Sequence, residues 1–346
     1  MVSVIQGDCL EEMRKMKPCS IDFIVCDPPY GLNFMGKKWD RAVPNVDIWK
    51  EALRVCKPGS MLAAFGGSRT HHHLMIALEQ SGWEMRDVIM WLYGQGFPKS
   101  LNINKSIDKS KGLEREIIGL NPNHRVLKDT NTMRGQPHTN SGVVSIPYSE
   151  LAQTFSVYGT ALKPSYEPII IAMKPCEGSF AHNAEKWGVA GINIDGSRIG
   201  NEQRTYSGGS KLMEERPWTE NQRQGLREKP EYTVSGRWPA NIILDQEAEQ
   251  QLGEPSRFFY CAKASAKERN QGCDGGITCT HPTVKPIALM KYIINLLAPP
   301  GNPILLDPFA GSGSTLIAAQ ELGIESIGIE LNLEYVEIAR KRISHD

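Results

Sequence analysis

The tetrapeptide Asp27-Pro28-Pro29-Tyr30 sets a carboxylate, two rigid carbonyl acceptors that lack N–H groups, and an aromatic ring side by side. These groups suit transfer to an exocyclic amine whose lone pair is delocalised into a ring. Such an amine is a poor nucleophile, and its two N–H groups need acceptors. Asp27 and the Pro28 carbonyl supply them, and Tyr30 offers a face for a flat ring to stack on. A second cluster lies far along the chain, at Asp307-Pro308-Phe309-Ala310-Gly311-Ser312-Gly313-Ser314-Thr315. Its glycines allow close backbone approach to a ligand, and the helix expected after it presents N–H groups. It is not a dinucleotide fingerprint, because the third glycine of G-x-G-x-x-G would fall at Leu316. Nor is it a phosphate loop, since no Gly-Lys-Ser/Thr follows. Glu330 then closes Ser326-Ile327-Gly328-Ile329, the place where an acid holds ribose hydroxyls in nucleotide-type sites.

Hydrophobic patterning shows which elements must position these groups. Ile21 to Cys26 is apolar, as expected of a strand buried on both faces, and the two prolines forbid its continuation. Ile304 to Leu306 reads the same way, followed by a helix from Thr315 to Leu322 with Gly323 past its end. Val2 to Gln6 is a short strand, after which Asp8 and Glu11 fit a capping box for a helix from Leu10 to Met16. A helix from Trp49 to Val55 is stopped by Lys57-Pro58-Gly59. A strand from Ser60 to Phe65, a helix from His71 to Gln80 and a strand from Met85 to Leu92 follow. This alternation predicts an α/β fold, a doubly wound, mainly parallel, Rossmann-like sheet with ligands at the carboxyl ends of its strands. The pattern dissolves from Tyr93 to Leu162, returns as one buried strand from Tyr166 to Met173, and is loop-rich again from Cys176 to Leu252.

Asp-Pro-Pro-Tyr, His281-Pro282-Thr283-Val284-Lys285-Pro286 and the Asp307 to Thr315 stretch together resemble the S-adenosylmethionine-dependent amino-methyltransferases of DNA. A catalytic motif that precedes the cofactor loop is the permuted order of the β group of that family, and the whole is similar to phage and prophage adenine-specific enzymes. The two ends of the chain carry the resemblance well and the middle only loosely. It implies methylation at N6 of a flipped-out adenine, with S-adenosyl-L-methionine as cofactor and Asp27, Pro28, Pro29 and Tyr30 as catalytic residues. It assigns Asp8, Asp27, Asp307, Phe309, Gly311, Ser312, Gly313, Ser314, Thr315 and Glu330 to the cofactor. Thr283 and Lys285 become hydroxyl and ammonium partners of the cofactor's carboxylate. N4-cytosine methylation is the close rival, because the amine chemistry is the same, although those relatives more often carry Ser in place of Asp27. RNA and protein amine methyltransferases usually begin the tetrapeptide with Asn, and a cofactor-free binding module would require both motifs to be relics. C5-cytosine enzymes need a Pro-Cys thiolate, and neither Pro18-Cys19 nor Pro175-Cys176 stands beside the Gly-rich motif.

Composition sets the remaining bounds. The 346 residues carry no net charge and are 40% hydrophobic, as in an ordinary globular protein, with no apolar run of membrane-spanning length and no leader before the first strand. The expectation is a cytoplasmic protein with reduced thiols and no bound metal. Cys261, Cys273, Cys279 and His281 lack any C-x-x-C pair, and His71-His72-His73 opens a helix. Between Gln95 and Asn140, eight basic side chains stand against four acidic ones, which marks a local patch for the phosphates of double-stranded DNA. Lys105, Lys109 and Lys111 are the backbone contacts expected there. Arg204, Arg223 and Arg227 are expected within an aromatic and arginine-rich stretch suited to target recognition. The chain then divides into a catalytic part (1–93), a DNA-contacting insert (94–162), a strand rejoining the sheet (163–175), a target-recognition region (176–256) and a cofactor-binding part (257–346). A homodimer and a restriction endonuclease are the further partners the resemblance implies.

Overall fold

In the computed structural model, the described residues are 1–32, 40–94, 96, 100–120, 143–206, 232–262 and 285–344. Their strands are β1 (Val2–Gln6), β2 (Ile21–Cys26), β3 (Cys56–Phe65), β4 (Glu84–Leu92), β5 (Ile117–Leu120), β6 (Val143–Ser145), β7 (Tyr166–Met173), β8 (Ile199–Tyr206), β9 (Tyr232–Arg237), β10 (Ile242–Asp245), β11 (Tyr260–Ala262), β12 (Ile304–Asp307) and β13 (Glu325–Glu330). Nine of them form one sheet in the order β1-β13-β12-β2-β3-β7-β4-β10-β11. Every strand runs parallel to its neighbours except β7, which is antiparallel to both β3 and β4. The chain leaves β2 toward β3 on one side, while β12 leads to β13 on the other. That reversal lies between β2 and β12, the crevice where open α/β sheets bind ligands.

The sheet is covered on both faces, which explains why its central strands carry no polar alternation. Phe23, Val25, Met61, Ala63, Ile169 and Ile171 point into a core shared with the helices Ile287–Leu297 and Ser314–Glu321. Their neighbours Ile24, Cys26, Leu62, Ala64, Ile170 and Ala172 point the other way, toward the helices Cys9–Lys15, Val46–Val55 and His71–Gln80. All six residues of β2 are buried.

Several elements differ from what the sequence pattern predicts. The strand expected from Ser60 begins at Cys56, because a register shift between Ile21 and Phe23 on β2 lets β3 carry Pro58 and Gly59 as an irregularity. Gly59 has φ +78°, and Asn183 reaches the same place to donate to the Pro58 carbonyl at 2.8 Å. The stretch from Cys176 to Leu252 holds more regular structure than its pattern suggests. It contains the helix Phe180–Trp187, the antiparallel pair β8–β9, the strand β10 and the helix Gln246–Leu252. Of these, β10 extends the main sheet beside β4, and β11 extends it further.

Residues Met1–Gln95 and Ser165–Asp346 form one compact unit, and Gly96–Pro164 form another. Inside the second, the stretch read as patternless folds into the helix Ile103–Ser110, the ribbon β5–β6 and the short helix Glu150–Thr154. Asp108 is fully buried and ties these pieces together. It accepts from the Tyr148 N–H (2.9 Å), the Ser149 hydroxyl (2.7 Å) and Arg115 Nη1 (3.2 Å).

In the larger unit, Asp22 does comparable work at the start of β2. Its carboxylate receives Lys57 Nζ at 2.6 Å and the Ile304 N–H, at the head of β12, at 2.8 Å. Asp22→Ala leaves that part-buried N–H without its acceptor, and should lower stability by about 1–3 kcal/mol. Urea unfolding should show a lower midpoint with an unchanged slope. An unchanged midpoint would mean that Asp22 does not clamp the two strands.

Candidate active site

Parallel strands end at one edge, so the acids that close β1, β13, β12 and β2 meet there as Asp8, Glu330, Asp307 and Asp27. Each is held differently. Asp8 Oδ1 caps the helix Cys9–Lys15, accepting from the N–H groups of Leu10 (3.0 Å) and Glu11 (3.2 Å). Glu330 Oε2 accepts from the Gly311 N–H at 2.9 Å and its Oε1 from the Asn332 N–H at 2.7 Å. Burial raises the Glu330 carboxyl, against the pull of these N–H bonds. Asp307 is 1% exposed and accepts from the Phe309 N–H at 3.0 Å. Burial pushes its carboxyl up to about 7, and the charges of Asp27 and Glu330 add to that, while the Thr315 hydroxyl and the Phe309 N–H oppose it.

The glycine-rich turn is shaped from both sides. Gly311 and Gly313 have φ of +53° and +83°, which L side chains rarely adopt. A Cβ on Gly313 would also lie 3.1 Å from that of Ala339. Arg342, buried to 1% exposure, donates through Nη1 to the Ser312 carbonyl (2.7 Å) and hydroxyl (3.0 Å). Ser314 and Thr315 open the following helix and are buried, and the Phe309 ring packs at a tilt on Trp49, 5.9 Å between centroids.

Asp27 is the centre of a second network. Lys285, 7% exposed, donates to Asp27 Oδ2 at 2.8 Å and to the Tyr30 hydroxyl at 3.0 Å, and lies 3.3 Å from Glu167 Oε2. The Tyr30 hydroxyl in turn lies 2.9 Å from Asp27 Oδ1 and 3.0 Å from Glu167 Oε2. Burial, and then these two carboxylates, hold the Tyr30 phenol well above its ordinary range, so it stays protonated. The Lys285 ammonium also sits 4.9 Å from the centre of the Phe65 ring. Behind the tetrapeptide, Asp40 accepts the N–H groups of Tyr30 (2.8 Å) and Gly31 (2.9 Å), which fixes the turn after the prolines.

The resemblance assigns Lys285 to a cofactor carboxylate, but the structure gives it other partners. Two carboxylates and a phenol lie within 3.3 Å of its ammonium. Glu167, Asp40 and Arg342 belong to no motif, and sequence reasoning misses them. The one signal for Glu167 is its place at the head of the apolar run from Pro168 to Met173. Thr283, His281, Arg223 and Arg227 lie outside the described residues. Lys109 and Lys111 are exposed at the end of the helix Ile103–Ser110, with Lys105 one turn earlier. Arg204 lies on β8, 4.0 Å from Glu202. Among the described residues, no group of three or more His, Cys, Asp or Glu is placed to hold a metal ion, and no helix is long and apolar enough to cross a membrane.

An edge lined by four acids suits a ligand with cationic groups and hydroxyl donors, and the positive φ values of the turn suit close approach by that ligand. Comparison with known proteins points the same way. A family model for N6/N4 methyltransferases, described as DNA methylase, matches residues 21–341. Type II methyltransferase M.HindIII of Haemophilus influenzae is 23% identical over 383 residues, covering 98% of this chain and 94% of that protein. DNA adenine methyltransferase YhdJ of Escherichia coli K12 is 49% identical over a shorter stretch of 63 residues, 18% of this chain and 21% of that protein. Among solved structures, PvuII DNA methyltransferase, described as cytosine-N4-specific, aligns with a TM-score of 0.53 at 13% identity, over 99% of this chain and 86% of that one. At that identity the likeness is one of fold.

The raised Asp307 carboxyl makes stability depend on pH. Its folded value of about 7 lies above the roughly 4 of an unfolded aspartate, so the folded state binds the extra proton. The contribution is complete below about pH 4 and is lost as pH rises through about 7, at up to about 1.4 kcal/mol per pH unit. Asp307→Asn should flatten the difference curve over that window in urea titrations run from acid to neutral pH. Parallel curves for the two proteins would show that Asp307 ionises normally.

Proposed function

The chain belongs to the DNA methylase family, and from that membership we propose that it transfers a methyl group from S-adenosyl-L-methionine to N6 of adenine in double-stranded DNA. The carrying observation is Asp27, held at the end of β2 with one oxygen against Tyr30 and the other against Lys285. A carboxylate fixed in this way is an oriented acceptor for an amine N–H. Pro28 offers a carbonyl beside it, with its φ locked by the ring.

The cofactor supplies a methyl carbon made electrophilic by a sulfonium. Asp8, Asp307, Phe309, Glu330 and the turn Gly311 to Thr315 are its proposed binding residues. Glu330 is the proposed acceptor for ribose hydroxyls, and Asp27 and Asp307 add carboxyl acceptors at the same sheet edge. A base inside a duplex cannot reach Asp27, so it must leave the stack at a cost of a few kcal/mol. Tyr30, half-buried with its hydroxyl fixed, is the proposed stacking partner that offsets much of it, at roughly 1–3 kcal/mol. The similarity to an enzyme named for adenine, together with Asp27 where N4-cytosine enzymes more often have Ser, favours adenine.

One experiment separates the readings. DNA methylated with labelled cofactor and digested to nucleosides should carry the label in N6-methyl-2′-deoxyadenosine; label in N4-methyl-2′-deoxycytidine would select the other amine. Asp27→Ala should bind cofactor within a few fold of the wild type, yet transfer methyl at least about 10²-fold more slowly in a single turnover. A near-normal rate would remove Asp27 from the catalytic role. Lys105, Lys109 and Lys111 are proposed to neutralise backbone phosphates. Replacing all three by uncharged residues should weaken binding to every duplex alike and reduce the salt slope by about 0.9 for each phosphate no longer neutralised. An unchanged slope would make that helix end a solvated surface.

A further inference from the structure

Glu167 lies outside every motif that carries the functional reading, yet its carboxylate stands within the catalytic cluster. It is there because β7 runs antiparallel to β3 and β4. The first residues of β7 therefore lie where those strands end, with Glu167 opposite Trp91. Among the described residues, the hydrogens of the cluster can be counted against its acceptors. The three on Lys285 are directed at Asp27 Oδ2 (2.8 Å), the Tyr30 hydroxyl (3.0 Å) and Glu167 Oε2 (3.3 Å). Tyr30 has one hydrogen, and two carboxylate oxygens compete for it, Asp27 Oδ1 at 2.9 Å and Glu167 Oε2 at 3.0 Å. Two carboxylates facing one ammonium also leave a negative charge in a half-buried place. A single added proton satisfies both the second oxygen contact and the charge.

We infer that Glu167 is the final acceptor of the proton that the target amine loses, receiving it from Asp27 through the Tyr30 hydroxyl. The inference rests on the amine-methylation reading above. The amine lone pair forms the bond to the methyl carbon, the carbon–sulfur pair stays on sulfur, and the amine nitrogen becomes cationic. Its proton passes to Asp27. Oδ1 of Asp27 then gives a proton to the Tyr30 oxygen as the Tyr30 hydrogen moves to Glu167 Oε2. Asp27 is again a carboxylate and Tyr30 again a phenol, and Glu167, whose side chain is 24% exposed, releases the proton to water. Lys285 keeps its charge throughout and positions both acids. Among the described residues, the other ionisable groups that face the cluster are Tyr93, at the end of β4, Asp307, at the end of β12, and the buried thiol of Cys26 beside Asp27.

The test begins without cofactor or DNA, as a carbon-13 carboxylate titration of the full chain by nuclear magnetic resonance. The first proton taken up should move the Asp27 and Glu167 resonances together with one midpoint, and Tyr30→Phe should split them into separate titrations. Independent midpoints in the wild type would overturn the shared proton. Glu167→Gln preserves size and a hydrogen-bonding group toward Tyr30 but cannot take the proton as a carboxylate does. It should slow single-turnover methyl transfer by at least about tenfold. It should also move the acid limb of the rate profile to lower pH, because Asp27 then faces Lys285 without a competing acid. An unchanged rate and limb in the folded variant would refute the relay. Failure of the functional reading shows separately, as a wild-type protein that methylates no amine in DNA whatever its carboxylates do in the titration.

Discussion

Like charges gathered at one edge are the constraint on which this site depends. Because β1, β13, β12 and β2 are parallel, their terminal acids converge, and their repulsion must be offset before the sheet can close. The means differ along the edge. Asp8 uses a helix start, Glu330 uses backbone N–H groups, Asp307 takes the Thr315 hydroxyl and the Phe309 N–H against the cost of its burial, and Asp27 takes a lysine. Among the described residues, only at Asp27 of these four is the partner a full charge. Its ammonium partner holds that carboxylate in one orientation, which is the geometry an amine acceptor requires. The surrounding structure serves that arrangement: Asp40 fixes the turn after the prolines, and Arg342 fixes the turn opposite.

What was legible in the sequence were the acids that close apolar runs. Ile21 to Cys26 and Ile304 to Leu306 are buried on both faces, and such runs announce both the strand and its last residue. The direction of a strand leaves no such mark. Tyr166 to Met173 is identifiable as a strand, but nothing in its composition says that it runs against its neighbours. Glu167 therefore gives no sign in the sequence that it stands at the functional edge. The strands β10 and β11, with four and three residues, are too short to show a period. Lys285 shows a different limit. Its motif can be recognised, but which acid its ammonium meets depends on β2 and β7, which lie far away in sequence.

The Gly96–Pro164 unit shows how polar groups organise a segment with little apolar patterning. Its described helices are short, of eight and five residues, and many of its apolar side chains are exposed, Leu120 and Val157 among them. One buried carboxylate, Asp108, joins a helix, a ribbon and a second helix start through backbone, hydroxyl and guanidinium donors. Such a centre requires specific partners and no hydrophobic period, which is why pattern reading passes over it.

The pairing of β2 with β12 has a consequence for how the protein comes into being. Leu305 lies beside Phe23, so the fully buried strand β2 acquires one of its two neighbours only after all the residues between them have been made. On the ribosome, a growing chain that has not reached β12 presents the open flank of β2, with its backbone N–H and C=O groups and Asp22 still unpaired on that side, and the pairing that covers it has a very long sequence separation. The sheet therefore cannot be completed piece by piece as synthesis proceeds. Its closure waits for the last strands, and an unfinished chain carries Asp27 without the turn and the acids that complete its site.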